Sequence, residues 1–228
     1  MKVLAIETST MLGGVALADE KGLIAETRLN VKSTHSERLM ATIDDQLRQS
    51  DLSLGDIDLF AVASGPGSFT GLRIGLSTAK GLCYATGKPL VMVPTLDAFA
   101  RSFPFSKHPV CVMLDARRGE LYAAVFRWDN GFVKMLDASS AVPDALFRDL
   151  DSPVILAGEG ALVYRERLIA LLGERALFAP LISMVPSPAN VAMLGLEKAM
   201  LGEFTEASAA EPFYIRKSEA EVKWSQKR

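Results

Sequence analysis

Two stretches of this chain share one pattern of short apolar runs and turns, and this repeat limits the possible folds more than any other feature. The first contains the runs KVLAIET, GVALAD and LIAETRLN between residues 2 and 30. The second contains VCVMLD, ELYAAVFRW and FVKMLD between residues 110 and 137, with an Asp-Asn-Gly turn signal before the last run. Runs of this length separated by such turns predict antiparallel strands. The chain is therefore expected to be a duplication in which three strands open each half.

Alternating helices and strands follow each group of three strands. In the first half, residues 36–50 place Leu39, Ile43 and Leu47 four apart, which is the spacing of one helical face. The run DLFAVAS, a second helix, the run PLVMVP and a short helix come next. In the second half the run PVILA precedes two expected helices, 161–172 and 188–201. Each half is thus expected to be a β-β-β-α-β-α unit, with the later strands extending the sheet in parallel.

The segment FPFSKHP, Phe103–Pro109, has two prolines and no periodicity, so it is the expected boundary between the halves. We expect an N-terminal lobe over residues 1–103 and a smaller C-terminal lobe over 104–215. Residues 216–228 mix both charges without an apolar stripe, which predicts a mobile tail.

The stretch SGPGSFTGLRIGLSTAKGL, residues 64–82, contains four glycines before the middle of the expected helix 70–86. It lacks the lysine of a nucleotide-binding P-loop and the closing glycine of a nucleophile elbow. Ser68 or Thr70 can cap the helix, and its N-terminus can also hold an anion; plain capping is favoured. Gly71, Gly75 and Ala79 recur every four residues and leave one helix face without bulky side chains. That face permits close packing either within the lobe or against a partner helix, and the sequence leaves both open.

Composition excludes several classes of function. The formal net charge is −2 and the pI is about 5.8, so no overall positive field favours unaided binding of nucleic acid. The two cysteines have no C-x-x-C spacing. Glu7 interrupts the first apolar run, which is therefore too short for the apolar segment of a signal peptide. No apolar run is long enough to span a bilayer. These features indicate a cytoplasmic protein without a membrane association.

Acidic residues end the first strand of each half, at Glu7 and Asp115. In a nucleotide site these acids would position a metal-bound water and Thr8 or Ser9 would contact a phosphate. The turn containing Gly158 and Gly160 would then lie against an adenosine. Closure of the two hairpin turns is the favoured interpretation of both acids, ahead of a degenerate nucleotide site, with a working ATPase third. Arg117, Arg118 and Glu159 disfavour a working site, because they bring bulk and charge towards the nucleotide.

This topology resembles the actin-like (ASKHA, ribonuclease H-like) superfamily of actins, heat-shock ATPases and sugar kinases. The fold class that the resemblance implies is α/β, a duplicated two-lobed fold with mixed sheets flanked by helices. Five local sequence motifs are similar to those of the bacterial TsaB (YeaZ) family. They are VLAIETST, SGPGSFTGLRIGLSTAKGL, PLVMVPTLDAF, LDARRGELYAAVF and LAGEGA. The similarity covers nearly the whole chain.

The resemblance implies an accessory subunit in the synthesis of threonylcarbamoyladenosine beside the anticodon of tRNAs that read codons beginning with A. Its implied partners are the catalytic subunit TsaD and the ATPase TsaE, with tRNA contacted only through the complex and a homodimer formed in their absence. A small-molecule kinase or ATPase is the alternative. TsaD should carry two metal-binding histidines four apart, where this chain has Thr95 and Phe99. We therefore expect no metal, no catalytic residue and no cofactor bound to the chain alone; whether ATP or ADP binds at the partner interface stays open.

The resemblance and the small-residue face together place the expected partner interface on the two helices 36–50 and 70–86. Close approach of the partner would use the small residues, and apolar burial would use the larger ones. On this hypothesis, replacing Gly75 by leucine abolishes pairing but leaves the monomer folded. The expected interface residues are Leu39, Ile43, Leu47, Gly71, Leu72, Gly75 and Ala79.

Overall fold

The computed structural model describes residues 1–30, 35–147 and 151–216. Its first half contains β1 (Val3–Glu7), β2 (Gly13–Asp19), β3 (Gly22–Leu29), α1 (His35–Gln49), β4 (Leu59–Gly65), α2 (Phe69–Thr86), β5 (Leu90–Pro94) and α3 (Thr95–Ala100). Its second half contains β6 (Val110–Arg117), β7 (Glu120–Trp128), β8 (Phe132–Ala141), α4 (Pro143–Leu146), β9 (Val154–Ala157), α5 (Glu159–Val163), α6 (Arg165–Leu172), β10 (Ala176–Phe178) and α7 (Pro188–Met200).

Within these ranges the strands form two five-stranded sheets with the same topology. The first sheet has the strand order β3-β2-β1-β4-β5. The second, read from the corresponding edge, has the order β8-β7-β6-β9-β10. In each, the opening three strands are antiparallel, and the two later strands are parallel to the first strand of the group. The duplication expected from the sequence is confirmed, and with it the duplicated two-lobed α/β fold with mixed sheets.

The first sheet is covered by helices on both faces, which explains why β1 and β4 are buried along their whole length. Alternate residues of β1 point to opposite faces. Leu4 and Ile6 join the core beneath α1 and α2, whereas Val3 and Ala5 join the core beneath α7. α7 therefore comes from the end of the chain and packs across the sheet of the first half.

α7 lies close to the sheet because Gly195 faces the strands. A methyl group at Gly195 would stand 2.6 Å from the Cβ of Ala61, so only a glycine permits this separation. The second sheet has its own core with α3, α4, α5 and α6. Both cysteines are free and buried, and burial raises the pKa of the Cys111 thiol to about 12.

The helix bounds differ from expectation in the second half. The single helix expected over residues 161–172 is two helices, α5 and α6, which meet at Tyr164. The residues before β9 are helical only over Pro143–Leu146, and residues 148–150 lie outside the described residues. The expected mobile tail also lies outside them beyond Arg216. Among the described residues, no helix combines the length and the apolar character needed to cross a bilayer.

Candidate functional site

A cavity of about 240 Å³ lies between the two lobes. The loop after β1, the turn before α2, the β6–β7 turn and the start of α5 surround it. This volume is smaller than the roughly 300–1,000 Å³ typical of small-molecule sites. Its lining residues are Ser9, Thr10, Met11, Gly67, Ser68, Phe69, Leu114, Asp115, Ala116, Arg117, Arg118, Tyr122, Glu159 and Arg216.

Glu7 lies fully buried at the end of β1 and does not line the cavity. Its Oε1 accepts a hydrogen bond from the backbone N–H of Ser9 at 2.6 Å. Its Oε2 and the hydroxyl of Ser9 have no hydrogen-bond partner among the described residues. Burial outweighs the hydrogen bond from the Ser9 backbone N–H and raises the pKa of Glu7 to about 7. The Glu7 carboxylate therefore accepts a hydrogen bond within the turn that follows β1.

Asp115 occupies the equivalent place in the second half and has an equivalent contact. Its Oδ1 accepts a hydrogen bond from the backbone N–H of Arg117 at 2.9 Å, and the Arg117 guanidinium lies 3.3 Å from Oδ2. Arg117 and Arg118 both have left-handed φ values, +65° and +56°, which side chains of this kind rarely adopt. Burial and then the charge of Asp115 raise the pKa of Glu159. The cavity thus holds acidic and basic groups side by side.

The other residues expected in a nucleotide site make structural contacts. Thr8 donates its hydroxyl hydrogen to the carbonyl of Gly71 at 2.8 Å. A Cβ on Gly158 would clash with the Met113 carbonyl, and one on Gly160 would lie 2.5 Å from the Leu121 side chain. The structure brings only Ser9 and Asp115 of the expected site residues to the cavity. The two glycines allow the start of α5 to pack closely on β6 and β7.

Close approaches by other segments account for the glycines of the GPG stretch. A Cβ on Gly65 would clash with the carbonyl of Phe213, and one on Gly67 would lie 2.5 Å from the carbonyl of Ser9. A Cβ on Gly71 would clash with the carbonyl of Thr8. Ser68 caps α2 by accepting a hydrogen bond from the Gly71 N–H at 3.2 Å. The stretch is therefore a turn and a capped helix start, and backbone carbonyls of Phe213, Ser9 and Thr8 lie against its three glycines.

The small-residue face of α2 points into its own lobe, so the expected interface was assigned to the wrong side of the helix. Gly71, Gly75 and Ala79 are buried, and a Cβ on Gly75 would clash with the Thr8 hydroxyl. Of the two packing alternatives left open by the sequence, the structure has packing within the lobe, against β1. The apolar residues assigned to the same interface, Leu39, Ile43, Leu47 and Leu72, are likewise buried inside the chain.

The opposite face of α2 is open to solvent and also carries small residues four apart. Ser77, Gly81 and Ala85 are exposed, and a Cβ on Gly81 would meet no atom within 4 Å. Tyr84 beside them is 94% exposed, and Met40 of α1 is half-exposed. We call these five residues the outer helix face. Leu72 and Leu76, next to the inner glycines, were the sequence signal that could have distinguished the two faces.

A C-terminal strap, residues 205–216, runs from the first lobe to the second. Its Phe213 N–H donates to the Ser64 carbonyl at 2.7 Å, and its Tyr214 ring stacks on Phe69 at 4.5 Å between centroids. Arg73 donates to the Tyr214 hydroxyl at 2.9 Å. Arg216 then reaches the second lobe. Its guanidinium lies 3.3 Å from the Ala116 carbonyl and 3.0 Å from a Glu120 carboxylate oxygen.

The sequence did not predict the strap, since it has no periodicity and most of its contacts use backbone atoms. Thr95 and Phe99, which replace the expected metal-binding histidines, are both fully buried in α3. Thr95 accepts a hydrogen bond from the Gly65 N–H at 3.1 Å, and Phe99 packs in the core of the second lobe.

Comparison with known proteins gives consistent matches over the whole fold. The model of the family TsaD, tRNA N6-adenosine threonylcarbamoyltransferase, matches residues 23–224. The tRNA threonylcarbamoyladenosine biosynthesis protein TsaB of Bacillus subtilis is 32% identical, with 98% of each chain covered. The protein of the same name from Escherichia coli is 30% identical, with 96% of each covered.

Solved structures agree with these sequence matches. YeaZ from Pseudomonas aeruginosa has a TM-score of 0.78 at 29% identity, covering 93% of this chain and 99% of its own. A hexokinase of the ROK class from Thermus thermophilus has a TM-score of 0.50 at 13% identity, covering 87% of this chain and 100% of its own. The second likeness concerns the fold alone and is consistent with the actin-like superfamily.

Proposed function

We infer the function of this chain from the family to which it belongs, the TsaB (YeaZ) proteins within the wider TsaD family. Its role is in the biosynthesis of threonylcarbamoyladenosine in tRNA. Within that role we propose a non-catalytic accessory subunit that binds the catalytic subunit TsaD and supports the ATPase TsaE. The tRNA is then bound by the assembled complex.

The positions of Thr95 and Phe99 carry the non-catalytic part of the proposal. A catalytic relative would use two histidines here to hold a metal ion, with a spacing of four residues on one helix face. In this chain the Thr95 hydroxyl is committed to the Gly65 backbone, and the Phe99 ring fills the core. Neither side chain can supply an imidazole nitrogen, and both are needed where they lie.

The outer helix face is the surface that best supports docking of a partner. A helix that carries small residues four apart admits another helix at a short separation. Gly81 provides the open space, the exposed Tyr84 one helical turn further on provides apolar contact area beside it, and Met40 is half-exposed on α1. We propose that α1 and α2 pair through this face with two helices of TsaD. Without TsaD, two copies of the chain pair through it about a two-fold axis.

Titration calorimetry of the purified chain with TsaD from the same organism tests this proposal. We expect tight pairing for the natural chain and loss of pairing for Gly81→Leu, because leucine would fill the space that the partner helix needs. Ala170→Leu is the matched control, since Ala170 is an exposed small residue on α6 of the other lobe. Equal affinities for all three chains would remove the outer helix face from the interface.

The same titration examines the role of nucleotide. Repeating it with ATP or ADP present shows whether a nucleotide at the interface contributes to pairing. Sedimentation of the chain alone should show a dimer that Gly81→Leu converts to a monomer, because both pairings use the same face.

A small-molecule kinase or ATPase is the second candidate, and the cavity between the lobes favours it. The N-terminus of α2 reaches that cavity, where its backbone N–H groups could contact a phosphate. This candidate predicts that the chain alone binds and turns over Mg-ATP, and that Asp115→Asn weakens both. The absence of heat on titration with Mg-ATP, together with tight pairing to TsaD, would reject it.

A further inference from the structure

A group of aromatic rings, of which only the outermost is exposed, lies away from both the cavity and the outer helix face. It joins the linker between the halves to the β7–β8 hairpin, and it consists of Phe105, Trp128 and Phe132. We call these three residues the aromatic patch. The Phe105 and Trp128 ring centroids are 4.8 Å apart with planes inclined by 56°, and those of Trp128 and Phe132 are 4.9 Å apart and nearly perpendicular. Trp128 is thus held between two rings.

Phe105 is the outermost ring and the least expected one. It is 79% exposed, and its φ of +59° lies in the left-handed region that bulky residues avoid. A glycine would occupy this turn without strain. Core packing cannot account for a ring that is mostly in solvent. The chain therefore accepts backbone strain in order to hold an aromatic side chain at its surface, a combination that is typical of binding sites.

Two positively charged residues, Arg101 and Lys107, lie close to the aromatic patch. The Arg101 guanidinium lies 5.7 Å from the centre of the Phe132 ring and is paired with Glu197. Arg127 precedes Trp128 on β7 and therefore points to the opposite face of the strand, where it pairs with Asp129 at 3.2 Å. Lys107, two residues after Phe105, is exposed and has no ion-pair partner within the described part of the chain. The nearby carboxylates are thus already paired, whereas Lys107 is not.

We propose that the aromatic patch binds single-stranded RNA by stacking an unpaired base on Phe105, with Lys107 next to a flanking phosphate. Stacked aromatic rings flanked by cations are the usual means of holding single-stranded nucleic acid. The proposal rests on the role in tRNA modification given above, which makes RNA the relevant ligand. Because the net charge of the chain is −2, this contact is local and binds weakly by itself.

Trp128 allows a direct test with the full chain. The protein has two tryptophans, so a Trp224→Phe background leaves Trp128 as the only one. Titration with a short single-stranded oligoadenylate should quench the Trp128 fluorescence in a saturable manner. A duplex RNA of the same length supplies the same phosphates without open base faces, and it should quench far less.

Substitutions at Phe105 separate stacking from a structural role. Phe105→Ala should weaken the oligoadenylate titration about tenfold, and Phe105→Tyr should preserve it, because a tyrosine ring also stacks. Phe105→Gly should weaken it equally while relieving the backbone strain. Phe204→Ala, which removes a half-exposed ring at the end of α7, is the matched control and should have no effect. Lys107→Ala should lower the salt dependence by about one phosphate contact.

Three results would overturn the proposal. They are the absence of quenching, equal quenching by duplex RNA, and an unchanged titration for Phe105→Ala. If Phe105→Ala instead weakens pairing with TsaD and leaves the RNA titration unchanged, the aromatic patch binds protein and not RNA. Since the RNA titration uses the chain alone, its outcome is independent of the calorimetric test of TsaD binding.

Discussion

Single residues that suggest catalysis in the sequence have backbone partners in the folded chain. Glu7 and Asp115 each accept a hydrogen bond from the N–H two residues further along. Thr8 binds the backbone of α2. Of the three, Glu7 has the more unusual surroundings, because one of its oxygens is buried without a partner among the described residues. Its ionisation should therefore affect the stability of the fold more than any chemistry.

We predict that Glu7 makes the free energy of unfolding fall as the pH rises. The pKa of Glu7 is raised from 4.5 to about 7 in the folded chain, so the folded state binds its proton more tightly than the unfolded state. The stabilisation is complete below about pH 4.5 and is lost as the pH rises through 7. The difference amounts to roughly 3 kcal/mol, an order-of-magnitude figure.

Urea unfolding at pH 5 and at pH 8 measures this effect. Glu7→Gln keeps a carbonyl oxygen for the Ser9 N–H but has no charge, so it should be more stable than the natural chain at pH 8. At pH 5 the two chains should be nearly equal. A stability difference that is the same at both pH values would show that Glu7 does not titrate in this range.

At the scale of elements, α2 has two rows of small residues with opposite roles. The inner row contacts β1, and the outer row has only solvent around it. We predict that Gly71→Ala and Gly81→Ala change the free energy of unfolding in opposite directions. Gly71→Ala should lower the free energy of unfolding by at least about 1–3 kcal/mol, because the alanine Cβ would clash with the Thr8 carbonyl. Gly81→Ala should raise it by up to about 1 kcal/mol, the usual gain within a helix.

Thermal unfolding of the two variants beside the natural chain is a sufficient measurement. Both substitutions add one methyl group to the same helix, so each serves as the control for the other. A loss of stability in both would mean that the outer row is also packed, and the outer helix face would then no longer be available to a partner.

The sequence predicted the order and direction of the strands well, because the alternation of apolar runs and turn residues records them locally. It did not predict which face of α2 is buried. Rows at Gly71, Gly75 and Ala79 and at Ser77, Gly81 and Ala85 have the same spacing, and only the neighbouring leucines distinguish them. The strap could not be predicted at all, since backbone hydrogen bonds such as that of Phe213 place little demand on side-chain type.

At the scale of the whole molecule, the strap is a further connection between the lobes, in addition to the linker and to the passage of the chain from β10 to α7. Phe213 and Tyr214 attach to the first lobe, and Arg216 attaches to the second. We predict that Arg216→Ala loosens this connection. Hydrogen exchange should accelerate at residues 116–120 and along the strap, and remain unchanged in α6. Faster exchange throughout the chain would instead indicate a general loss of stability.

The position of α7 has a consequence for how the protein is made. A ribosome releases the strands of the first sheet early, yet one face of that sheet remains uncovered until Pro188–Met200 has been synthesised. The apolar side chains of Val3, Ala61 and Val91 must stay in contact with water, or with a chaperone, for most of translation. The first sheet is thus synthesised early but is fully buried only after α7 has been made. A nascent chain stalled before α7 is therefore a candidate for aggregation or degradation.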